Sequence, residues 1–153
     1  MQKFVQVQRD RFQIDTDPRR LQVDIIYDYL TNRSYWAKGR SLEVIEKSIA
    51  NSLCFGVYEG QSMVGFARVI SDYATFGWVC DVFILESHRG LGLSKWLVET
   101  IVEHPDLKGI RRLLLATRDA HELYRCYAGF RVVEHPEKLM ERPNPAGNVP
   151  PLE

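Results

Sequence analysis

The stretch from Asp81 to Leu97 constrains this chain more than any other. It is apolar over Val82-Phe83-Ile84-Leu85, passes through Glu86-Ser87-His88-Arg89-Gly90-Leu91-Gly92, and then spaces Leu93, Trp96, Leu97, Thr100 and Ile101 along one face of a helix. A strand is thus followed by a glycine-bearing turn that faces a helix start. The first N–H groups of a helix lack partners and carry partial positive charge, so such a turn can hold an anion, typically a phosphate. Two glycines before a helix are also plain turn punctuation, and only the neighbouring segments can decide.

Upstream, Phe12, Ile14 and their neighbours predict a first edge strand. Asp17-Pro18 supplies an N-cap and a proline at the first helical position, and Leu21, Ile25, Ile26, Tyr29 and Leu30 give the following helix an apolar face that ends near Thr31-Asn32. The loop 33–40 is dense in aromatic and cationic groups; Tyr35 and Trp36 either line a pocket there or pin the loop onto the core. Ser41 caps a second helix with Val44, Ile45, Ser48 and Ile49 inward. Residues 53–58 and 63–70, joined by Glu59-Gly60-Gln61-Ser62, predict an antiparallel hairpin.

A third strand, 76–85, leads into the turn already described, and its helix stops at His104-Pro105 because proline cannot continue it. The run Leu113-Leu114-Leu115 within 111–117 predicts a buried strand parallel to the third, since a helix joins the two. A short helix over 119–127, with Asp119 as its N-cap, and a last strand over 129–133 complete the pattern. The segment 136–153 is a proline-rich, irregular tail. The fold class is α/β: a mixed central sheet of six to seven strands with helices on both faces, in one domain spanning 1–153.

Composition narrows the function. Of 153 residues 45% are apolar, enough for a real core, and Lys plus Arg equals Asp plus Glu at 20 each. Balanced charge leaves no electrostatic footprint for nucleic acid or an acidic membrane surface, so a small molecule or a local protein site is the expected partner. Cys54, Cys80 and Cys126 are odd in number and set in apolar segments, which predicts reduced thiols filling the core and no metal site. No apolar run approaches the roughly 18 residues that span a bilayer, and the expected location is cytoplasmic.

Two pieces on either side of the buried strand carry a family likeness. Arg89-Gly90-Leu91-Gly92-Leu93-Ser94 resembles the Gln/Arg-x-x-Gly-x-Gly/Ala signature of the GNAT superfamily of N-acetyltransferases, and Leu123-Tyr124-Arg125-Cys126-Tyr127-Ala128-Gly129-Phe130 is similar to that family's Leu-Tyr-x-x-x-Gly-Phe close. Ser94 stands where Gly or Ala is usual. The close has one residue more than usual, so either Tyr124 or Arg125 takes the tyrosine's place.

The resemblance implies an enzyme that moves the acetyl group of acetyl-CoA directly to a primary amine of a small molecule or peptide. It implies that strands 76–85 and 111–117 splay around the pantetheine arm, that the backbone of Val82, Phe83 and Ile84 pairs with that arm, and that Thr117 bonds it. The amides of Arg89, Gly90, Leu91, Gly92, Leu93, Ser94 and Lys95 would cradle the pyrophosphate. Tyr124 would be the general acid, while Asp81 would bind the ammonium or relay its proton. The other reading of Asp81 is an acid that accepts hydrogen bonds at a strand bulge. Tyr35, Trp36 and His121 would shape the acceptor site; no metal is implied, and a homodimer through the first strand or the tail is possible.

Two other classes compete. One is a non-catalytic acyl-CoA-binding sensor module on the same fold. The other is a nucleotide-binding protein that uses the turn for a phosphate, which lacks support because no Gly-Lys-Ser/Thr follows the turn and no acidic residue sits where a ribose partner belongs.

Overall fold

Period-two patterning organises the structure, a computed structural model that describes residues 3–144. Six strands, β1 (Gln6–Arg9), β2 (Phe12–Asp15), β3 (Leu53–Glu59), β4 (Ser62–Ser71), β5 (Gly77–Ile84) and β6 (Leu113–Leu115), form one sheet in that order. Neighbours from β1 to β5 are antiparallel, and β6 runs parallel to β5. The connection between those two carries α3 (Leu93–Glu103) and the single turn α4 (Pro105–Lys108). A crossover of this kind is what parallel neighbours require. α1 (Val23–Asp28) and α2 (Leu42–Ala50) fall between β2 and β3, and α5 (His121–Ala128) follows β6.

Alternate side chains of the central strands feed two apolar layers. Phe55, Val57, Ala67, Val69 and Val79 pack with Leu93, Leu97 and Ile101 of α3 and with Leu107. Cys54, Tyr58, Met63, Phe66 and Phe83 pack with Ile26, Tyr29 and Leu30 and with Ile45 of α2. Helices therefore cover both faces, and β3 and β4, which lie in the middle, are buried almost throughout.

Local chemistry sets the element ends. Ser41 caps α2, its Oγ accepting the Val44 N–H at 3.2 Å. Asp17 caps as expected, but the turn that Pro18 opens is a single 3-10 turn, Pro18–Arg20; the chain extends again at Leu21 and α1 starts only at Val23. Pro105 ends α3 and begins α4, with the His104 ring accepting the Asp106 N–H at 3.1 Å. Among the described residues no helix is long and apolar enough to cross a membrane.

Four expectations are corrected. The first edge strand is β1, and Phe12 and Ile14 belong to the second strand, where they are buried. Residues 129–133 form no strand: α5 closes on Gly129 at φ 71, the Tyr124 carbonyl takes the Phe130 N–H at 3.1 Å, and Val132 stands 80% exposed. Residues 145–153 of the tail lie outside the described residues. Cys126 is exposed, because it falls on the outer face of α5. Asp119 caps nothing: the residue before α5 is Ala120, whose N–H goes to the Thr117 hydroxyl at 3.0 Å.

Burial pushes the thiols of Cys54 and Cys80 up to about 12 each, and the Tyr124 phenol to about 12 as well. All three folded values lie above the ordinary ones, so the stability they confer is complete below about pH 8.5 and is lost as pH rises toward the folded values. The urea midpoint should therefore fall between about pH 8 and about pH 11, each thiol contributing up to about 1.4 kcal/mol per pH unit, and Cys54→Ala should flatten the slope. A midpoint that stays level over that interval would contradict this account.

Candidate active site

The parallel pair does not stay paired. β6 meets β5 only at Gly77↔Leu113, Trp78↔Leu114 and Val79↔Leu115, while β5 continues to Ile84. From Cys80 onward, among the described residues, the β6-facing edge of β5 has no strand beside it. Part of the cause is a bulge. Pairing of β4 with β5 shifts register between Phe66 and Arg68, so Asp81 and Val82 together face Ala67. Asp81 takes φ 53, a left-handed conformation that costs a non-glycine residue free energy and persists only where neighbours hold it.

The neighbours are explicit. Asp81 is 4% exposed; its Oδ1 accepts from the Trp36 indole at 2.9 Å, and its Oδ2 accepts from Arg40 at 2.8 Å and Arg68 at 2.9 Å. Arg68 also donates to the Ser52 hydroxyl at 3.0 Å. One carboxylate against two guanidinium groups leaves the cluster with net positive charge. That charge disfavours an incoming ammonium, so the ligand and proton-relay roles expected of Asp81 have little room here, and the bulge-anchoring reading has three hydrogen bonds behind it.

Through Trp36 the cluster fixes the loop 34–40. Tyr35 lies against Trp36 at 5.1 Å, ring centre to ring centre, and its hydroxyl accepts the Arg118 N–H at 3.2 Å. The Arg118 guanidinium covers the Tyr35 ring at 3.8 Å. The loop thus reaches from β5 to the segment after β6, across the mouth of the gap. Of the two readings of the aromatic pair, these contacts show the one in which it pins the loop.

Tyr124 supplies another wall. It is the buried residue of α5, 9% exposed, with its ring edge-on to Phe130 at 5.8 Å, whereas the Arg125 side chain is 61% exposed and paired with Glu122. Of the two candidates for the tyrosine's place, Tyr124 is the one that packs inward. Its raised pKa comes first from burial and then from the nearby Tyr35 and Cys80. His121 opens α5 and is exposed; Thr117 is half-buried and spends a lone pair on Ala120.

At the far end of β5 the turn is as the sequence led us to expect. Gly90 and Gly92 take φ 80 and 76, and Gly92 stands as the N-cap of α3, where it has no side chain to bond the first-turn amides. A cavity of about 270 Å³ opens there, lined by Ile84, His88, Arg89, Gly90, Gly92, Leu93 and Ser94. Arg89 is tied back: it donates to the Tyr29 hydroxyl at 2.7 Å and to the Ile84 carbonyl at 3.3 Å. Tyr29 in turn stacks on Phe83 at 4.0 Å. Lys95 sits over the Tyr127 ring at 5.0 Å, and Leu91 is exposed.

Three cations escaped sequence reasoning. Arg9 comes from the unrecognised β1, lies over Trp96 at 5.9 Å, and has a guanidinium nitrogen 3.7 Å from where a Cβ on Gly92 would stand. Arg40 and Arg68 hold Asp81. The alternation of Val5 and Val7 with Gln6 and Gln8 could have revealed β1; nothing local marks the partners of Asp81.

β5 thus runs past its parallel neighbour into a glycine turn, a cavity and the start of α3. Comparison with known proteins identifies the family. The family model described as "Acetyltransferase (GNAT) family" matches residues 23–130. The "Putative acetyltransferase FG08082" of Gibberella zeae is 31% identical over 138 residues, covering 76% of this chain and 77% of its own length. A crystal structure from Xanthomonas campestris pv. campestris, described as an acetyltransferase of the GNAT family by assignment, is 46% identical, with a TM-score of 0.85 over 89% of this chain and 95% of that one. A crystal structure from Clostridium acetobutylicum, described as a "predicted acetyltransferase with acetyl-CoA", shares the fold alone, at 14% identity and a TM-score of 0.60 over 86% and 94% of the two chains. On the family match and the curated relative together, the chain belongs to the GNAT family of acetyltransferases.

Proposed function

We propose that this protein is an N-acetyltransferase that takes acetyl-CoA as donor and a primary amine of a small molecule or peptide as acceptor. The observation that carries the reading is the parting of β5 from β6 after Val79, with the uncapped start of α3 beyond one end of β5 and Tyr124 buried on the helix that follows β6. Acetyl-CoA, when bound, supplies the activated acetyl group. The chain's own groups do the rest. The free edge of β5 over Val82, Phe83 and Ile84 offers N–H and C=O groups to an amide-bearing arm, and the N–H near Ile84 is placed to steady charge on a carbonyl oxygen. Leu93, Ser94 and Lys95 present their amides, and Gly92 its absent side chain, to phosphate. Trp36 and Tyr35 form the acceptor wall, with Asp81 as the residue that positions it.

Tyr124 is the candidate acid. Its phenol, pushed to about 12 by burial, keeps its proton throughout the neutral range. An ordinary thiol sits near 8.5, so full transfer from this phenol to a departing sulfur is uphill by on the order of 5 kcal/mol. Tyr124 therefore acts best as a hydrogen-bond donor at Oη, while the net proton comes from the attacking amine.

Titration calorimetry with acetyl-CoA, with CoA and ATP as controls, tests the donor; a thiol-release assay over a panel of amines then finds the acceptor. Tyr124→Phe should lower kcat by about 100-fold and leave the acetyl-CoA Kd within about twofold. Binding without turnover on every amine would instead favour the sensor module, and unchanged kcat in the variant would remove the acid role.

A further inference from the structure

The carboxylate of Asp81 does not neutralise what surrounds it. The Trp36 indole and Arg68 already occupy its two oxygens, yet Arg40 also donates to Oδ2. Two guanidinium groups therefore share one carboxylate oxygen, and no other carboxylate pairs with either among the described residues. Ser52 takes one further N–H of Arg68. The Nη2 of each arginine keeps no partner among the described residues, and neither nitrogen is sealed from solvent. A surplus cation held at 18% or 10% side-chain exposure costs free energy that anchoring the bulge does not by itself require.

Both guanidinium groups are set by their backbones. Arg68 stands in β4 between two antiparallel neighbours, opposite Cys54 and Cys80. Arg40 closes the loop 34–40, where its N–H reaches the Ala37 carbonyl at 3.0 Å and its own carbonyl accepts from the Thr31 hydroxyl at 2.7 Å. The cluster also lies near the candidate acid. Cys80, across from Arg68, feels the charges of Asp81, Arg68 and Arg40, and in turn acts on the Tyr124 phenol. The other charged pair near Tyr35, Arg118 with Asp119 at 3.6 Å, is neutral overall and exposed. What remains is one uncompensated positive charge beside the proposed acceptor wall.

We propose that the acceptor is an amine that also carries an anionic group, a carboxylate or a phosphate, and that Arg40 and Arg68 bind that group through their free N–H donors. This rests on the acetyltransferase reading and narrows it. Guanidinium forks match the paired oxygens of both anions. An anion there completes the charge count that Asp81 leaves open, while a plain or polycationic amine meets repulsion. The same excess charge eases proton loss from a nearby ammonium, and so favours the neutral amine that attack requires. The transfer itself is unchanged: an N–C bond forms, the C–S bond breaks, and the proton lost by the attacking amine goes to the sulfur.

Matched pairs of amines test it on the wild type: α-amino acids against their amides, β-alanine against its amide, and phosphoethanolamine against ethanolamine. In the thiol-release assay at least one acid should exceed its neutral partner in kcat/KM by about 50-fold or more. Calorimetric titration of the same pairs into CoA-saturated protein should show the preference in Kd, with or without turnover. The carboxylate and phosphate arms tell which anion is read. Arg40→Gln should cut the ratio within a pair to about fivefold or less, and Arg40→Lys should retain part of it. A loop that had merely come loose would weaken both members alike and keep the ratio. Neutral amines or putrescine turned over as well as the acids would overturn this proposal and leave acetyl transfer standing, and so would a panel in which no acid outbinds its partner. Failure of acetyl-CoA to bind is a separate result: it removes the acetyltransferase reading, and this inference with it.

Discussion

Replacing Gly92 by tryptophan is expected to raise the Kd for acetyl-CoA by about 100-fold or more while the protein remains folded. Gly92 caps α3 at φ 76, and no side chain bonds the first-turn amides beyond it. Each charge-assisted hydrogen bond to a phosphate oxygen is worth roughly 1.5–3 kcal/mol, so an indole that blocks two of them removes about 3 kcal/mol or more of binding. The fold loses less. A Cβ at this position meets only an Arg9 nitrogen, at 3.7 Å, and a left-handed non-glycine residue costs about 1–2 kcal/mol. Gly92→Ala separates the two effects, since it carries the strain without the bulk and should keep Kd within about tenfold. Calorimetric titration of the three proteins checks it. Tight acetyl-CoA binding by Gly92→Trp would show that the turn is punctuation and that phosphate is held elsewhere.

That site was legible in the sequence because its parts are contiguous. Strand, glycines and helix follow one another from Gly77 to Glu103, so periodicity alone places the turn between them. The parallel pairing of β6 followed from the same logic, as a helix stands between the two strands. Short-range caps were equally visible: Ser41 needs only the Val44 N–H three residues on. What escaped was either faint or distant. β1 has four residues and one half-buried apolar side chain, too little to register as a strand. The Val132-Val133 pair has strand propensity, but propensity makes a strand only where a neighbour is available, and here the local helix ending claims the Phe130 N–H first.

Asp81 is the clearest case of distance. Its isolation in an apolar strand marked it as special, yet its partners are 13, 41 and 45 residues away. No spacing rule links them. A buried acid reads the same whether it works on a substrate or holds a fold, and only the count of donors around it separates the two.

The count makes a quantitative expectation. Asp81→Ala should cost about 3–5 kcal/mol and lower the melting temperature by roughly 10 °C, because it strands two guanidinium groups whose side chains are 18% and 10% exposed, with only Arg68 retaining a hydroxyl partner. Asp81→Asn should cost less. Asparagine tolerates the left-handed backbone and keeps an oxygen for one donor, so it loses charge without leaving a cavity. The released loop matters for activity as well: without Asp81, the Trp36 indole has lost its acceptor, and Tyr35 and Arg118 lose the support that sets them across the gap. Turnover should then fall through acceptor KM, with acetyl-CoA Kd held within about threefold, since none of the three partners of Asp81 lines the cavity at the glycine turn. Adding Arg40→Ala to Asp81→Ala should recover stability, as removing the stranded cation removes its desolvation cost; the two substitutions would cost less together than their sum by about 1–3 kcal/mol. A proton relay predicts the opposite pattern. In that case Asp81→Asn would abolish kcat, leave the melting temperature within about 1 °C, and show no coupling to Arg40, and the anchoring role would have to be withdrawn.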